Sequence, residues 1–195
     1  GLIWTPDGKI VFCHFSDADS ITDLYKMNSD GSNRVQLTVN VGQDNGYPSV
    51  SNDGRYIIFT SNRVGKRQIW RMDNDGRNPK LLTPGGEKDG NSEFATVSPD
   101  GREVFSIKRG AGAAAIWKVS IDGENPTQVS LLTSAATEAY LSISPDGKWL
   151  AYQHITNKTE SRDEDLNITI GVLPTDGNAE PKLFELPVRR RIIQL

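Results

Sequence analysis

The 195 residues carry 22 Lys and Arg against 25 Asp and Glu, a formal charge of −3, with 36% hydrophobic and 24% charged residues. This is the composition of a globular chain able to build a core. The slight acidity argues against nucleic acid as the main partner, no apolar run is long enough for a membrane span, and the single Cys13 allows no internal disulfide.

The chain opens on Leu2-Ile3-Trp4, followed at once by Pro6-Asp7-Gly8, and this tripeptide returns as Asn52-Asp53-Gly54, Pro99-Asp100-Gly101 and Pro145-Asp146-Gly147. The Gly to Gly steps are 46, 47 and 46 residues. A fixed period of this size marks a propeller or an array of stacked units. Each unit has a second anchor, Asp30-Gly31, Asp75-Gly76, Asp122-Gly123 and Asp176-Gly177, with Tyr25, Trp70, Trp117 and Gly171 five residues before the Asp. Leu37-Thr38, Leu82-Thr83 and Leu132-Thr133 follow in three units, and Leu183-Phe184 takes that place in the fourth.

Within a unit, runs rich in β-branched and aromatic residues flank these anchors. In the second unit they are Pro48-Ser49-Val50, Tyr56-Ile57-Ile58-Phe59, Ile69-Trp70 and the run ending at Leu82-Thr83. Pro presets the first corner of a type I turn, Asp bonds the backbone ahead and Gly takes the left-handed position that closes it. Four strands per unit result, and four units account for the chain at 1–44, 45–91, 92–137 and 138–188, with 189–195 predicted as the first strand of a further blade. The fold class is all-β: a β-propeller of four four-stranded antiparallel blades, each burying its faces against its neighbours.

The run from Ser98 to Arg102, with Ile69-Trp70-Arg71-Met72-Asp73-Asn74-Asp75-Gly76 and Leu81-Leu82-Thr83, resembles the TolB-like, WD-like β-propeller repeat of bacterial proteins. The resemblance covers essentially the whole chain. It implies a ring of about six blades or more, hence a fragment here, with a closed four-bladed ring as the alternative. It implies partner binding in an extracytoplasmic compartment, and also admits a propeller attached to a peptidase or a polysaccharide lyase.

Chemistry-bearing residues are sparse. Neither a Gly-x-Ser-x-Gly elbow nor an α/β pattern is present. Aligning the second strands on Phe12, Phe59, Phe105 and Tyr152 places His14, Ser61, Ile107 and His154 at one blade position just past the strand end, where two histidines read as ordinary surface or core residues before they read as a metal pair. Asp17, Asp19 and Asp23 could surround a hard cation, but they lack the Gly and terminal Glu of a calcium loop and read as solvated turn residues, as does Asp163-Glu164-Asp165. Arg63 and Arg109, four residues beyond Phe59 and Phe105, read as structural ion pairs. Arg109-Gly110-Ala111-Gly112 precedes β sequence, so it is a hairpin and not a phosphate loop. Gly171, in place of an aromatic residue, predicts looser packing in the fourth unit. No cofactor, metal or catalytic residue is assigned.

Alternating strands send the first and third turns to one face, and the second turns and the inter-blade connections to the other. The first and third turns are uniform. The second turns differ: 15–23, 62–66, 109–113 and 155–165, the last lengthened by about eight residues, because the Asp to Asp interval is 30 residues there and 22 or 23 elsewhere. Variable loops on a repeated scaffold carry recognition. A non-enzymatic module is expected, binding a protein or peptide on this face through His14, Asp17, Asp19, Asp23, Arg63, Arg109, His154 and Arg162.

Overall fold

The computed structural model describes residues 1–39, 41–83, 90–110, 114–132, 137–157 and 166–185. Sixteen strands form four antiparallel sheets, each ordered as in the chain. The first holds β1 (Leu2–Trp4), β2 (Lys9–Ser16), β3 (Ile21–Asn28) and β4 (Val35–Gln36); the second β5 (Asn45–Val50), β6 (Tyr56–Val64), β7 (Lys66–Asp73) and β8 (Lys80–Leu81). The third holds β9 (Asn91–Val97), β10 (Glu103–Arg109), β11 (Ala114–Ser120) and β12 (Thr127–Leu132); the fourth β13 (Thr137–Ile143), β14 (Trp149–Asn157), β15 (Leu166–Pro174) and β16 (Lys182–Glu185). No helix occurs among the described residues. The segment 189–195, predicted to open a further blade, lies outside them, as does Arg162.

The sheets stack in sequence, and their buried side chains form one core per interface. Val11, Leu24, Leu37, Ile57, Phe59 and Met72 fill the first; Ile58, Ile69, Leu82, Val97, Val104 and Val119 the second; Phe105, Ile107, Ile116, Leu150, Tyr152 and Leu173 the third. Opposite faces of one strand therefore serve different interfaces, as for Ile57 and Ile58, which is how a two-sided apolar strand is satisfied in a propeller. First strands approach first strands, β1 to β5, β5 to β9 and β9 to β13, and so form the inner edge. The first and fourth sheets do not cover one another's outer faces: Leu2 and Trp4 on one, and Trp149, Leu183 and Phe184 on the other, stay exposed.

Each first turn is built from its own hydroxyl residue. Ser51, Ser98 and Ser144 donate Oγ to Asp53, Asp100 and Asp146 at 2.6 Å and accept from the backbone N–H of the residue five positions on. Thr5 bonds Asp7 in the same way but accepts from Lys9, four positions on, so the first turn is one residue shorter. Gly8, Gly54, Gly101 and Gly147 all have φ between 69° and 76°, the left-handed conformation the turn demands. In the second, third and fourth sheets the third turn bonds to the first turn of its own sheet, Asn74 N–H to the Arg55 carbonyl, Ile121 to Arg102 and Thr175 to Lys148, which fixes these turns on one face.

The cross-strand register corrects the alignment of the second strands. Phe12, Phe59, Ser106 and Tyr152 lie opposite Tyr25, Trp70, Trp117 and Gly171. Phe105 therefore points to the other face of its sheet, and Lys108, not Ile107, shares the position of His14, Ser61 and His154. An isolated apolar run does not reveal its face when both faces are buried. The register also overturns the loose packing expected at Gly171. The Tyr152 ring lies across Gly171 where a side chain would stand, and both are buried. The first two sheets pair two rings at this place and the last two pair one ring with a small residue, Ser106 with Trp117 and Tyr152 with Gly171.

Candidate functional face

The second turns of the first two sheets are shorter than their polar sequence suggested. Strand β2 continues to Ser16 and β3 begins at Ile21, so only 17–20 lies in the turn, and β6 and β7 meet around Gly65. Backbone pairing runs on past the apolar run because a ladder needs no apolar side chains to continue. His14 and Arg63 accordingly sit within strands, not beyond them.

Three of the eight predicted residues, Asp23, Arg63 and Arg109, are drawn into a polar frame that joins blades on this face. Asp23, opposite His14 in the ladder, accepts from Thr38 Oγ1 at 2.5 Å, from Gln36 Nε2 at 2.9 Å and from Asn45 Nδ2 of the next sheet at 3.2 Å. Asn45 is fully buried; its Oδ1 accepts from Ser61 at 2.7 Å. Ser61 in turn accepts from Arg63 Nε at 3.0 Å, and the Arg63 guanidinium lies 5.1 Å from the Phe59 ring and 4.6 Å from the Trp70 ring. Burial pushes Arg63 below the usual guanidinium range, partly countered by the charge of Asp23. Arg63 is thus a cation on two aromatic faces and not the ion pair expected of it.

Arg67, absent from the sequence reading, ties the second sheet to the third. Its Nε donates to Asp44 Oδ2 at 2.6 Å and its Nη1 to Glu93 Oε1 at 2.8 Å, and the Glu93 bond, with that from Asp44, raises its guanidinium further. Arg109 Nε reaches the same Glu93 at 3.3 Å and so does form the expected ion pair. The Glu93 side chain is only 8% exposed and is met by two cations, the arrangement a buried carboxylate requires. Arg63 and Arg109 are not equivalent in the repeat: the cation above Trp117 is Lys108, at 5.3 Å, as Arg63 is above Trp70.

His14 is exposed, its ring edge-on to Tyr25 at 5.7 Å. Asp17 and Asp19 are exposed in the turn, where Asp19 accepts from the Ile21 N–H at 3.3 Å. His154 is buried in the fourth sheet, its carbonyl accepting from Thr169 Oγ1. Among the described residues no three His, Cys, Asp or Glu side chains come together as a metal set.

Beside this frame runs a feature the sequence reading missed. Tyr47, Phe94 and Tyr140 occupy the same place on three successive inner strands, each at a break in its pairing to the second strand, and each has φ between 51° and 55°. Their rings form a series, 4.6 Å from Tyr47 to Phe94 and 5.4 Å from Phe94 to Tyr140. The bulge is a property of the repeat, but Gly or Asn would fill its left-handed position with less strain. Desolvation raises the Tyr47 hydroxyl above its ordinary pKa, and the charges of Arg67, Glu93 and Asp44 act on it, so the band adjoins the ionic frame. Three aromatic residues ahead of Pro-Asp-Gly or its Asn variant were the sequence signal.

Four stacked four-stranded antiparallel sheets, with their first strands innermost and their short turns on one face, define a β-propeller assembly. The TolB beta propeller domain matches residues 3–181, and the chain belongs to that family. Over 80 residues it is 40% identical to the uncharacterised protein Atu1656 of Agrobacterium fabrum, 41% of this chain and 27% of that one. Its fold matches a putative TolB from Agrobacterium tumefaciens (TM-score 0.76, 22% identity, 92% of this chain, 62% of that one) and TolB from Acinetobacter baumannii (0.69, 24%, 90%, 40%). The chain thus spans less than two thirds of each of these relatives. The same fold is found in an oligogalacturonate lyase solved with manganese (TM-score 0.66, 14% identity, 93% of this chain, 51% of that one), so blades alone do not separate binding from catalysis.

Proposed function

We propose that this chain is a non-enzymatic recognition module, part of a bacterial extracytoplasmic protein, and that a protein or peptide partner docks on the face formed by the second turns and the inter-blade connections. One observation carries this reading: on that face the loops differ from blade to blade, while directly beneath them Asp23, Asn45, Arg67 and Glu93 bond across the blades. Variable contacts on a fixed frame are what selective recognition needs. His14, Asp17 and Asp19 are then direct contacts. Asp23, Arg63 and Arg109 act beneath them as positioning residues, and the buried His154 has a packing role.

Photo-crosslinking in a bacterial host tests the assignment. A crosslinking residue at Asp17 or Asp19 should capture a discrete partner, and one at Asp30 or Asp75 in the third turns should not. Capture confined to the third turns would reverse the face.

A further inference from the structure

We propose that Asp75-Gly76, in the third turn of the second sheet, is a site of covalent self-modification, where the main chain rearranges through a cyclic imide to isoaspartate faster than at the other seven Asp-Gly turns.

Nine Asp-Gly bonds occur in the sequence, eight of them in the first and third turns and the ninth, Asp89-Gly90, begun by a residue outside the described ones. Glycine leaves its amide nitrogen unhindered because it has no Cβ, so each of these bonds can close on itself. The Gly76 nitrogen attacks Cγ of the neutral Asp75 carboxyl. The N–Cγ bond forms, the Cγ–OH bond breaks, and the hydroxyl leaves with the amide proton as water. A second water then opens the five-membered ring. Opening at Cγ restores aspartate; opening at the main-chain carbonyl leaves isoaspartate, with one methylene added to the backbone and no change of oxidation state.

The turns resist this step unequally. All eight turn glycines already donate their N–H to a carbonyl, at 2.8–3.2 Å, so what separates the sites is the hold on the carboxylate. Ser51, Ser98 and Ser144 each donate to their aspartate, which also accepts the N–H of the residue two positions beyond it. Thr5 donates likewise to Asp7, and Ser32 holds Asp30 through both Oγ and N–H. These hydroxyls keep all five carboxyls below the ordinary range, so the neutral form that reacts is scarce. Asp176 accepts two bonds from Asn178, and Asp122 a charged one from Arg71 at 2.6 Å. Asp75 has one hydrogen-bond donor among the described residues, the Arg77 N–H at 3.0 Å. Its other oxygen lies 3.7 Å from Arg77 Nε, in a pair whose side chains are both more than half exposed and which restrains it little.

The position is a joint between blades. Asn74, just before it, accepts Lys26 of the first sheet through its carbonyl and Oδ1, and Gly76, just after it, packs under the Leu37 carbonyl. A methylene inserted between them loosens the first sheet from the second.

Ageing the purified protein for weeks in neutral buffer, then mapping isoaspartate site by site with the methyltransferase specific for that residue, tests the assignment. Isoaspartate at Asp75 should exceed that at Asp53, Asp100 or Asp146 by about fivefold or more, the factor that one net hydrogen bond supplies. Arg77→Ser, at a side chain 82% exposed, provides the hydroxyl that Ser32 gives Asp30. It should bring Asp75 down to the level of Asp30, and Arg77→Ala should not. In the aged protein the Asn74 and Gly76 amides should exchange faster, in proportion to the isoaspartate formed. In guanidinium, where the turns are lost, all eight sites should react alike. Equal rates at the eight sites of the folded protein, a lead for Asp75 that survives in guanidinium, unchanged exchange at Asn74 and Gly76, or no protection by Arg77→Ser would each overturn the proposal.

Discussion

At the scale of single residues, the turn glycines divide by what stands above them. Gly8 and Gly177 share a positive φ, 76° and 74°, but open space surrounds Gly8 while the Val129 carbonyl lies 2.6 Å from the Cβ position of Gly177. Gly8→Ala should cost about 1 kcal/mol, the price of a left-handed alanine, and Gly177→Ala about 3 kcal/mol or more because strand backbone must also move. Urea unfolding of both variants measures the difference. The turn aspartates make a second case: the Ser98 hydroxyl, then the Arg102 N–H, hold Asp100 below the ordinary carboxylate range. A depressed folded pKa contributes stability that is present above the unfolded value and lost as pH falls through the folded one. Ser98→Ala should therefore shift the acid limb of the stability curve to higher pH and raise the Asp100 pKa in an NMR titration.

At the scale of elements, third strands reach forward to the next blade's third turn. Lys26 Nζ donates to the Asn74 carbonyl at 2.9 Å and Oδ1 at 2.7 Å, and Arg71 Nη1 to the Ile121 carbonyl at 2.9 Å and Asp122 Oδ1 at 2.6 Å. The Arg71 side chain is only 13% exposed and its bond partner is charged, so Arg71→Met should destabilise by about 1–3 kcal/mol in chemical unfolding, more than Lys26→Met. These elements were largely legible in the sequence, since Pro-Asp-Gly, Asp-Gly and Leu-Thr each impose local geometry that fixes strand ends and order. What failed was facing. Phe105 was placed with Phe59 because both end an apolar run, yet a strand buried on both sides offers no polar residue to set its phase. The ionic frame was half visible for a related reason: Arg109 recurs near a consensus place, but Arg67, Asp44 and Glu93 meet only when three strands of two blades converge.

At the scale of the whole molecule, stability should be graded. The second and third sheets are covered on both faces, whereas the first and fourth each present one open face. Native-state hydrogen exchange should find the slowest amides in β6, β7, β10 and β11 and the fastest in β1, β4 and β16, in line with the number of packed neighbours. Uniform protection across the four sheets would contradict the stacked arrangement.

The outer strands carry a further implication, for behaviour in concentrated solution. Strands β4 and β8 are two residues long and offer little ladder to another chain; β12 runs for six residues with Val129 buried, and β16 for four with Leu183 and Phe184 exposed. An apolar strand on a sheet margin is a template for adding foreign strands, and Lys182 and Glu185, bracketing those two residues, supply the charges that discourage it. Neutralising Lys182 and Glu185 should therefore make this margin a starting point for intermolecular sheet, seen as faster aggregation at high protein concentration.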